Sequence, residues 1–425
     1  MYASENYFPR NEEELCGLVA QASSEGLPLE VCGNRTKRNI GRPLEIGVKE
    51  GARLSTRQIT GVTLYEPQEL VLSAHAGTPL SQIETLLDEH NQELAFEPSR
   101  LENLFEQGED AEATLGGVIA ANASGPRRIL RGAARDYVLG ARAVNGKGEV
   151  IKSGGRVMKN VTGYDIARAL AGSWGTLAVM SEITLKVLPK AEETRTLVFL
   201  GLPSEAAVSA MSTAMGTPYE VSATVHLPPE FVARHSDPDI AGLEQSITAL
   251  RLESFSASLE YRAGRLHRQL KPFGAIYELD DVRSRAFWND IRALSFIAKP
   301  TTDEDAYLTV STWPLWRITV APHQAAKLMN ALTTQLEGSR AAYEWSGGLI
   351  WVEVPPATDA SATMLRRIIA EFQADALLVR AEPETLAAVD VFQPLPEGNM
   401  RLIRGLKEAF DPHRILGPGR MYTGV

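Results

Sequence analysis

The chain has 425 residues, 44% of them hydrophobic, and a formal net charge of -10. That length holds two or three packed units, and the acidic balance excludes a broad nucleic-acid-binding face. With only two cysteines, Cys16 and Cys32, a disulfide framework and an iron–sulfur cluster of the chain's own are excluded; both read as small buried hydrophobes.

The opening M-Y-A-S-E-N-Y-F-P-R has neither the basic nor the apolar region of a secretory signal. No run reaches the ~18 apolar residues of a spanning helix, so the expectation is a cytoplasmic protein without a transmembrane segment. Residues 11–25 place Asn and three Glu ahead of helically spaced apolar residues, an N-capped helix signal. L-P-L-E-V-C then reads as a strand running into the turn G-N-R-T-K-R-N-I-G at 33–41. A strand is expected at 69–75 and a helix at 78–90, with Pro79 near its start. Residues 99–113 read as an acidic surface loop. From 114 to 189 the chain is glycine-rich, ending in the apolar, β-branched run 177–187, a buried strand.

Beyond Pro189 strand and helix patterns alternate. Strands are expected at 196–202, 275–279, 316–320, 348–354 and 376–381, and helices at 204–215, 282–294, 323–336 and 400–410. This predicts an α+β domain with helices on one face of a sheet. The expected division is 1–190, 191–399 and a tail at 400–425.

Three segments carry candidate chemistry. In the turn at 33–41, Gly33 frees main-chain amides, Thr36 adds a hydroxyl, and Arg35, Lys37 and Arg38 add charge for a phosphate; a basic surface hairpin is the alternative. T-L-G-G-V-I-A-A-N-A-S-G at 114–125 is a strip of small residues on which a flat ring system fits, or a tight core contact. Arg127, Arg128, Arg131, Arg135 and Arg142 form a cationic stretch that pairs with an anion or faces solvent. Arg317, beside Trp316, is the candidate for a substrate carboxylate, or an arginine stacked on Trp316 or Trp313. The seven histidines show no metal-ligand spacing and read as surface or capping residues; no metal site is expected.

The strand–G-N-R-T-K turn, A-G-T-P-L (76–80), T-L-G-G-V-I-A-A-N-A-S-G, K-N-V-T-G-Y-D (159–165) and G-S-W-G-T-L (172–177) occur in order. Over about 180 residues this series resembles the FAD-binding domain of the vanillyl-alcohol oxidase / p-cresol methylhydroxylase superfamily. Within it, G-P-R-R (125–128), R-D-Y-V-L-G (135–140), L-W-R (315–317), W-S-G-G (345–348) and P-G-R-M-Y (418–422) are similar to the FAD-binding E-subunit family of bacterial glycolate oxidases, across nearly the whole chain.

The resemblance implies a two-subdomain FAD-binding domain, an α+β cap and a tail returning to the FAD domain. It places Gly33, Asn34, Arg35, Thr36 and Lys37 at the pyrophosphate. It places Gly77, Thr78, Leu115, Gly116, Gly117, Asn122 and Gly125 near the flavin, with Glu182 and Ile183 at the cavity edge. It implies oxidation of glycolate or D-lactate to the 2-oxo acid, a homologous flavin-containing catalytic subunit, and an iron–sulfur subunit that takes the electrons. Attachment to the inner face of the cell membrane would come through that complex. Asn34 and Arg35 stand where many members carry glycine, and the catalytic subunits' metal-binding E-H-G-x-G element is absent. A free-standing 2-hydroxyacid dehydrogenase and a scaffold subunit without flavin are the alternatives.

Overall fold

The computed structural model describes residues 5–44, 51–105, 112–156, 164–298 and 313–425. The motif at 157–163, including Lys159, lies outside the described residues.

The first helix, Glu12–Glu25, starts where the side chain of Asn11 accepts the Glu14 amide at 2.9 Å, and stops at Gly26, whose φ of 59° suits glycine. Its inner face, Leu15, Val19 and Ala22, packs on a three-stranded parallel sheet in the order Glu5–Tyr7, Ala52–Ser55, Leu29–Cys32. Leu29, Leu54, Val144, Val179, Ile415 and Leu416 close this core, so residues from the far end of the chain complete it. Each such fully buried aliphatic side chain contributes about 2 kcal/mol.

A five-stranded antiparallel sheet follows, in the order Val62–Glu66, Val71–His75, Ala178–Lys186, Val138–Asn145, Val150–Gly154. The apolar run at 177–187 supplies its central strand, buried on both faces, which is why it lacks alternation. The helices Leu80–Asp88 and Leu115–Ala120 pack against it.

Leu188–Pro189 still pairs with Gln92–Glu93, whereas Glu193–Leu200 enters a third sheet. That sheet is eight-stranded and antiparallel, in the order Tyr277–Leu279, Glu193–Leu200, Ile247–Ser254, Ala223–Leu227, Arg340–Glu344, Leu349–Glu353, Leu315–Thr319, Asp375–Arg380. One face is covered by the helices Ser204–Met215, Ser256–Leu270, Ala325–Gln335 and Ala362–Glu371.

The expectation of helices on a single face needs correction. Asp281–Arg292 and Ser295–Ala298 lie on the opposite face, where Phe287, Trp288 and Phe296 meet Leu104 and Phe105 of the N-terminal part. Trp288 is fixed there by its indole N–H, which donates to Thr196 Oγ1 at 2.9 Å.

The expected surface loop at 99–113 is also corrected over its described part. Leu101–Leu104 is a short 3-10 helix, and Ser99, Glu102, Leu104 and Phe105 are buried. The Arg100 amide donates to Arg292 O at 3.0 Å and Asn103 Nδ2 to Ala293 O at 2.9 Å, docking the segment onto the third sheet's helices. Two histidines also depart from the surface reading: His226 and His235 are buried.

The last helix, Glu397–Phe410, leads into a tail that returns to the first sheet. The Leu29 amide donates to Ile415 O at 2.7 Å and the Gly417 amide to Leu29 O at 2.9 Å. Among the described residues no helix is long and apolar enough to cross a membrane.

Candidate functional site

Leu29–Cys32 is the edge of its sheet, and at its end the chain turns sharply over Thr114. A Cβ on Gly33 would stand 2.2 Å from Thr114 Oγ1, so any larger residue must displace the Thr114 side chain. The turn is pinned by Ser55 Oγ donating to Gly33 O at 2.8 Å and Asn34 Nδ2 donating to Glu112 O at 3.0 Å. Arg35 takes the left-handed φ of 66°, a conformation that favours glycine.

Lys37 points inward and is only 7% exposed. Its ammonium donates to Thr36 Oγ1 at 3.3 Å and has no carboxylate within ion-pair distance among the described residues. Burial lowers its pKa, and only the more distant Glu102 opposes this. Across from it, Thr114 Oγ1 accepts the Gly117 amide at 3.3 Å, capping Leu115–Ala120. A side chain at Gly117 would begin 4.0 Å from Lys37 Nζ, so the bare glycine leaves the ammonium facing open space. The Gly116 amide donates to Ala76 O at 2.7 Å, and a Cβ there would meet Ala76 at 2.9 Å.

These groups line a cavity with about 730 Å³ of empty space, counting its open mouth. Ala76, Ala178, Val179 and Met180 give it an apolar wall, and Trp174 and Gly175 border it. Its charged lining is Arg35, Lys37, Arg38 and Arg420 against one carboxylate, Glu30, which is already held by Arg38 at 2.8 Å and Arg53 at 3.2 Å. Among the described residues that line it, positive charge therefore exceeds negative. Arg420 braces the turn from the tail, donating through Nη2 to the carbonyls of Lys37, Arg38 and Ile40 at 3.1, 3.3 and 2.7 Å. An unpaired buried ammonium, a glycine-cleared cradle and an apolar wall fit a dinucleotide: phosphate at Lys37, rings along the small residues.

Gly33, Asn34, Arg35, Thr36, Lys37, Gly116 and Gly117 thus meet in one cavity. Seven other candidates are not among its lining residues. Gly77 is a packing glycine, since a Cβ would lie 2.1 Å from Thr56 O. Thr78 spends its hydroxyl on Gly61, accepting from N at 3.0 Å and donating to O at 3.2 Å. Leu115 and Ile183 sit in the core. Glu182 lies opposite His75 and Arg142 in the sheet. Asn122, at a φ of 48°, accepts the Arg135 amide through Oδ1 at 3.0 Å. Gly125 packs on Glu97 O, where a Cβ would come within 1.9 Å. Sequence reasoning missed Thr114 as a cap, Arg420 as a brace and Ala178–Met180 as a wall, although T-L-G-G, P-G-R-M-Y and the apolar run at 177–187 contain these residues.

The cationic stretch divides. Arg127 is buried against Glu93, Glu97 and Glu253, and Arg142 is paired with Glu12 at 2.5 Å. Arg128 instead stands 5.1 Å from the centroid of Trp345. Arg317 stands 5.1 Å from the same ring and 6.0 Å from that of Trp351, not on Trp316 or Trp313. Burial and then Arg128 push Arg317 down to about 10. Nearby Glu344, pushed up to about 7 by burial, accepts the Trp351 indole N–H at 2.8 Å. Tyr164 is 92% exposed.

This is the fold of p-cresol methylhydroxylase-type FAD-binding proteins. Substrate-bound p-cresol methylhydroxylase superposes with a TM-score of 0.68 at 12% identity, covering 98% of this chain and 88% of the other. Alkyldihydroxyacetonephosphate synthase gives 0.69 at 15%, covering 97% and 75%. Residues 6–154 match a family described as FAD binding domain. Glycolate oxidase subunit GlcE of Escherichia coli K12 is 31% identical over 407 residues, 95% of each chain. A D-lactate dehydrogenase of Archaeoglobus fulgidus is 32% identical over 213 residues, 49% of this chain and 44% of the relative. The chain belongs to the family of glycolate oxidase subunit GlcE, an FAD-binding oxidoreductase subunit.

Proposed function

We propose that this chain is the FAD-binding subunit of a glycolate oxidase complex, oxidising glycolate or D-lactate to the 2-oxo acid. FAD, when bound, supplies the two-electron oxidant. Lys37 and the turn Gly33–Thr36 would hold its pyrophosphate, and the bare backbone at Gly116 and Gly117 would leave room for the flavin. The 1–190 segment binds the cofactor, 191–399 caps it, and 400–425 braces the binding turn through Arg420. Arg317 grips the substrate carboxylate with its planar guanidinium.

The chief support is Lys37, a buried ammonium facing a glycine-cleared space in a chain similar from end to end to a glycolate oxidase subunit. Two cysteines cannot ligate a cluster, so electrons leave through an iron–sulfur partner alongside a homologous flavin subunit. The complex is cytoplasmic or held at the inner membrane face. The test is co-purification with the products of the neighbouring genes, followed by flavin and iron counts and anaerobic glycolate addition. Two flavins with iron per assembly, both bleached by glycolate, support the reading. A single flavin located in the partner overturns it in favour of a scaffold; turnover by the isolated chain with a dye acceptor favours a free-standing dehydrogenase.

A further inference from the structure

Most buried arginines of this protein have carboxylate partners. Arg127 and Arg251 share Glu97 and Glu253, and Arg234 and Arg380 share Glu353. Two half-buried arginines, Arg128 and Arg317, do not. Neither guanidinium makes a side-chain hydrogen bond or ion pair with the described residues, yet both border one indole, Trp345, each at 5.1 Å. They come from different parts of the chain: Arg128 opens the short helix Arg128–Arg131 beside the glycine-rich strip, and Arg317 sits within the strand Leu315–Thr319 of the eight-stranded sheet. Trp345 is fixed between these parts, its Nε1 donating to Gly125 O at 3.1 Å. Its backbone and that of Ser346 hold left-handed φ values of 53° and 61°, a costly conformation for such residues, stabilised by the Ser346 amide donating to Thr224 Oγ1 at 2.7 Å.

Two half-buried cations beside one ring disfavour each other, and an anion that answers both is favoured there. Two other groups bear on the pair. Asp136 attracts Arg128 but gives its Oδ2 to the Ala133 amide at 2.8 Å. Glu344 attracts Arg317 but is turned to Trp351. We propose that Arg128 and Arg317 together form a two-domain clamp for the carboxylate of a small 2-hydroxy acid, with Arg128 the second, unassigned half of the site. The inference rests on the oxidoreductase reading above and deepens it. Because the clamp carries two cations, a small dicarboxylate such as oxalate binds more tightly than a monocarboxylate of the same size. Because its halves come from two domains, the bound anion also ties those domains together.

The test titrates oxalate and acetate into the purified full chain by calorimetry, with flavin absorbance read in parallel. Calorimetry reports the clamp whatever the flavin content; absorbance reports the cofactor reading. Oxalate is expected to bind at least 10-fold more tightly than acetate, and Arg128→Gln and Arg317→Gln each to weaken oxalate roughly 10- to 100-fold with flavin content unchanged. Arg128→Lys is expected to recover part of the loss, since it keeps the charge without the fork. Absence of oxalate binding, or an Arg128→Gln affinity within about twofold of the parent in a chain with an unchanged melting curve, overturns the clamp. Loss of flavin from the parent chain would instead count against the cofactor reading.

Discussion

Arg127 grips Glu253 with both prongs of its guanidinium: Nε donates to Oε2 at 3.1 Å and Nη2 to Oε1 at 2.5 Å, across 126 residues of sequence. Arg127 lies within the segment that matches the FAD binding domain family, and Glu253 lies in the strand Ile247–Ser254 of the eight-stranded sheet. Arg251 makes the same kind of fork back onto Glu97, at 2.9 and 2.7 Å. These crossed pairs tie the eight-stranded sheet to the N-terminal part of the chain. Burial alone would raise the Glu253 carboxyl, but Arg251 and Arg127 outweigh it and hold it at about 2.

The first prediction concerns this junction. Arg127→Met leaves buried carboxylates unanswered and is expected to cost about 3–5 kcal/mol in urea unfolding. Adding Glu253→Gln recovers part of that loss. Glu253 titrates lower in the folded chain than its ordinary 4.5, so its contribution is present above that value and drains away as pH falls toward about 2. Acid unfolding of Glu253→Gln should lack that component; an unchanged acid limb would remove Glu253 from the junction's energetics.

A second prediction separates two glycines. Gly125→Ala places a methyl 1.9 Å from the Glu97 carbonyl, a backbone atom that cannot step aside, so the chain should lose stability. Gly33→Ala meets the tip of a side chain, Thr114 Oγ1, at 2.2 Å, and Thr114 can rotate away at the loss of its cap to Gly117. That cap is worth about 1 kcal/mol. The Gly33 variant should therefore fold but retain little flavin, read as the ratio of flavin to protein absorbance. A Gly33 variant with full flavin content would show that the turn lies elsewhere than at the pyrophosphate.

How much of this the sequence disclosed depended on whether a signal was local. The strand–G-N-R-T-K turn and Thr114–Gly117 were readable because cleared backbone and clustered charge lie side by side in the chain. Ala223–Leu227 and Ile247–Ser254 were not read as strands although both alternate in type: their polar residues are buried too, with Arg251 and Glu253 answered by Glu97 and Arg127 far away in the sequence. Thr78 and Asn122 suggested ligand residues by motif, but the Thr78 hydroxyl bonds the backbone of Gly61 and Asn122 Oδ1 accepts the Arg135 amide. Arg420 was invisible as a site residue because its target, the turn at Lys37, lies 383 residues away.

Glu344 yields a third prediction, with the opposite sign to Glu253. Its carboxyl is pushed up by burial to about 7 from 4.5. It therefore stabilises most when protonated, and that contribution is lost as pH rises through about 7. Glu344→Gln keeps an acceptor for Trp351 without the charge, so stability above neutrality should rise relative to the parent, by at most on the order of 3 kcal/mol. Melting curves from roughly pH 4 to 8 would show parent and variant diverging as pH rises from 4.5 to about 7 and running parallel above it. Curves parallel over the whole range would mean that Glu344 is ionised throughout.

Lys37→Met tests the cofactor cradle from the other side. The substitution removes a buried cation whose only side-chain partner among the described residues is Thr36. The flavin-free chain should become no less stable, because an unpaired buried charge is replaced by an apolar chain of similar length. FAD affinity should nonetheless fall about 10- to 100-fold with the lost charge-assisted phosphate bond. Destabilisation without a change in flavin affinity would make Lys37 structural.

The final prediction concerns the tail. Lys407 is buried and donates to Thr176 O at 2.8 Å, Leu416 O at 2.7 Å and Asp411 Oδ2 at 2.8 Å. Asp411 in turn accepts the amides of Ile415 at 3.1 Å and Leu416 at 2.7 Å. One ion pair thus ties the end of the last helix to the tail that carries Arg420 back to the turn at Lys37. Lys407→Met strands the Asp411 carboxylate and is expected to cost about 3–5 kcal/mol, concentrated in the tail. Residues 411–425 should then exchange amide hydrogens faster than the rest of the chain. Flavin should be lost in step with that exchange, although Lys407 is not among the residues lining the cavity. If the tail loosens while flavin stays bound, Arg420 does not brace the cofactor turn.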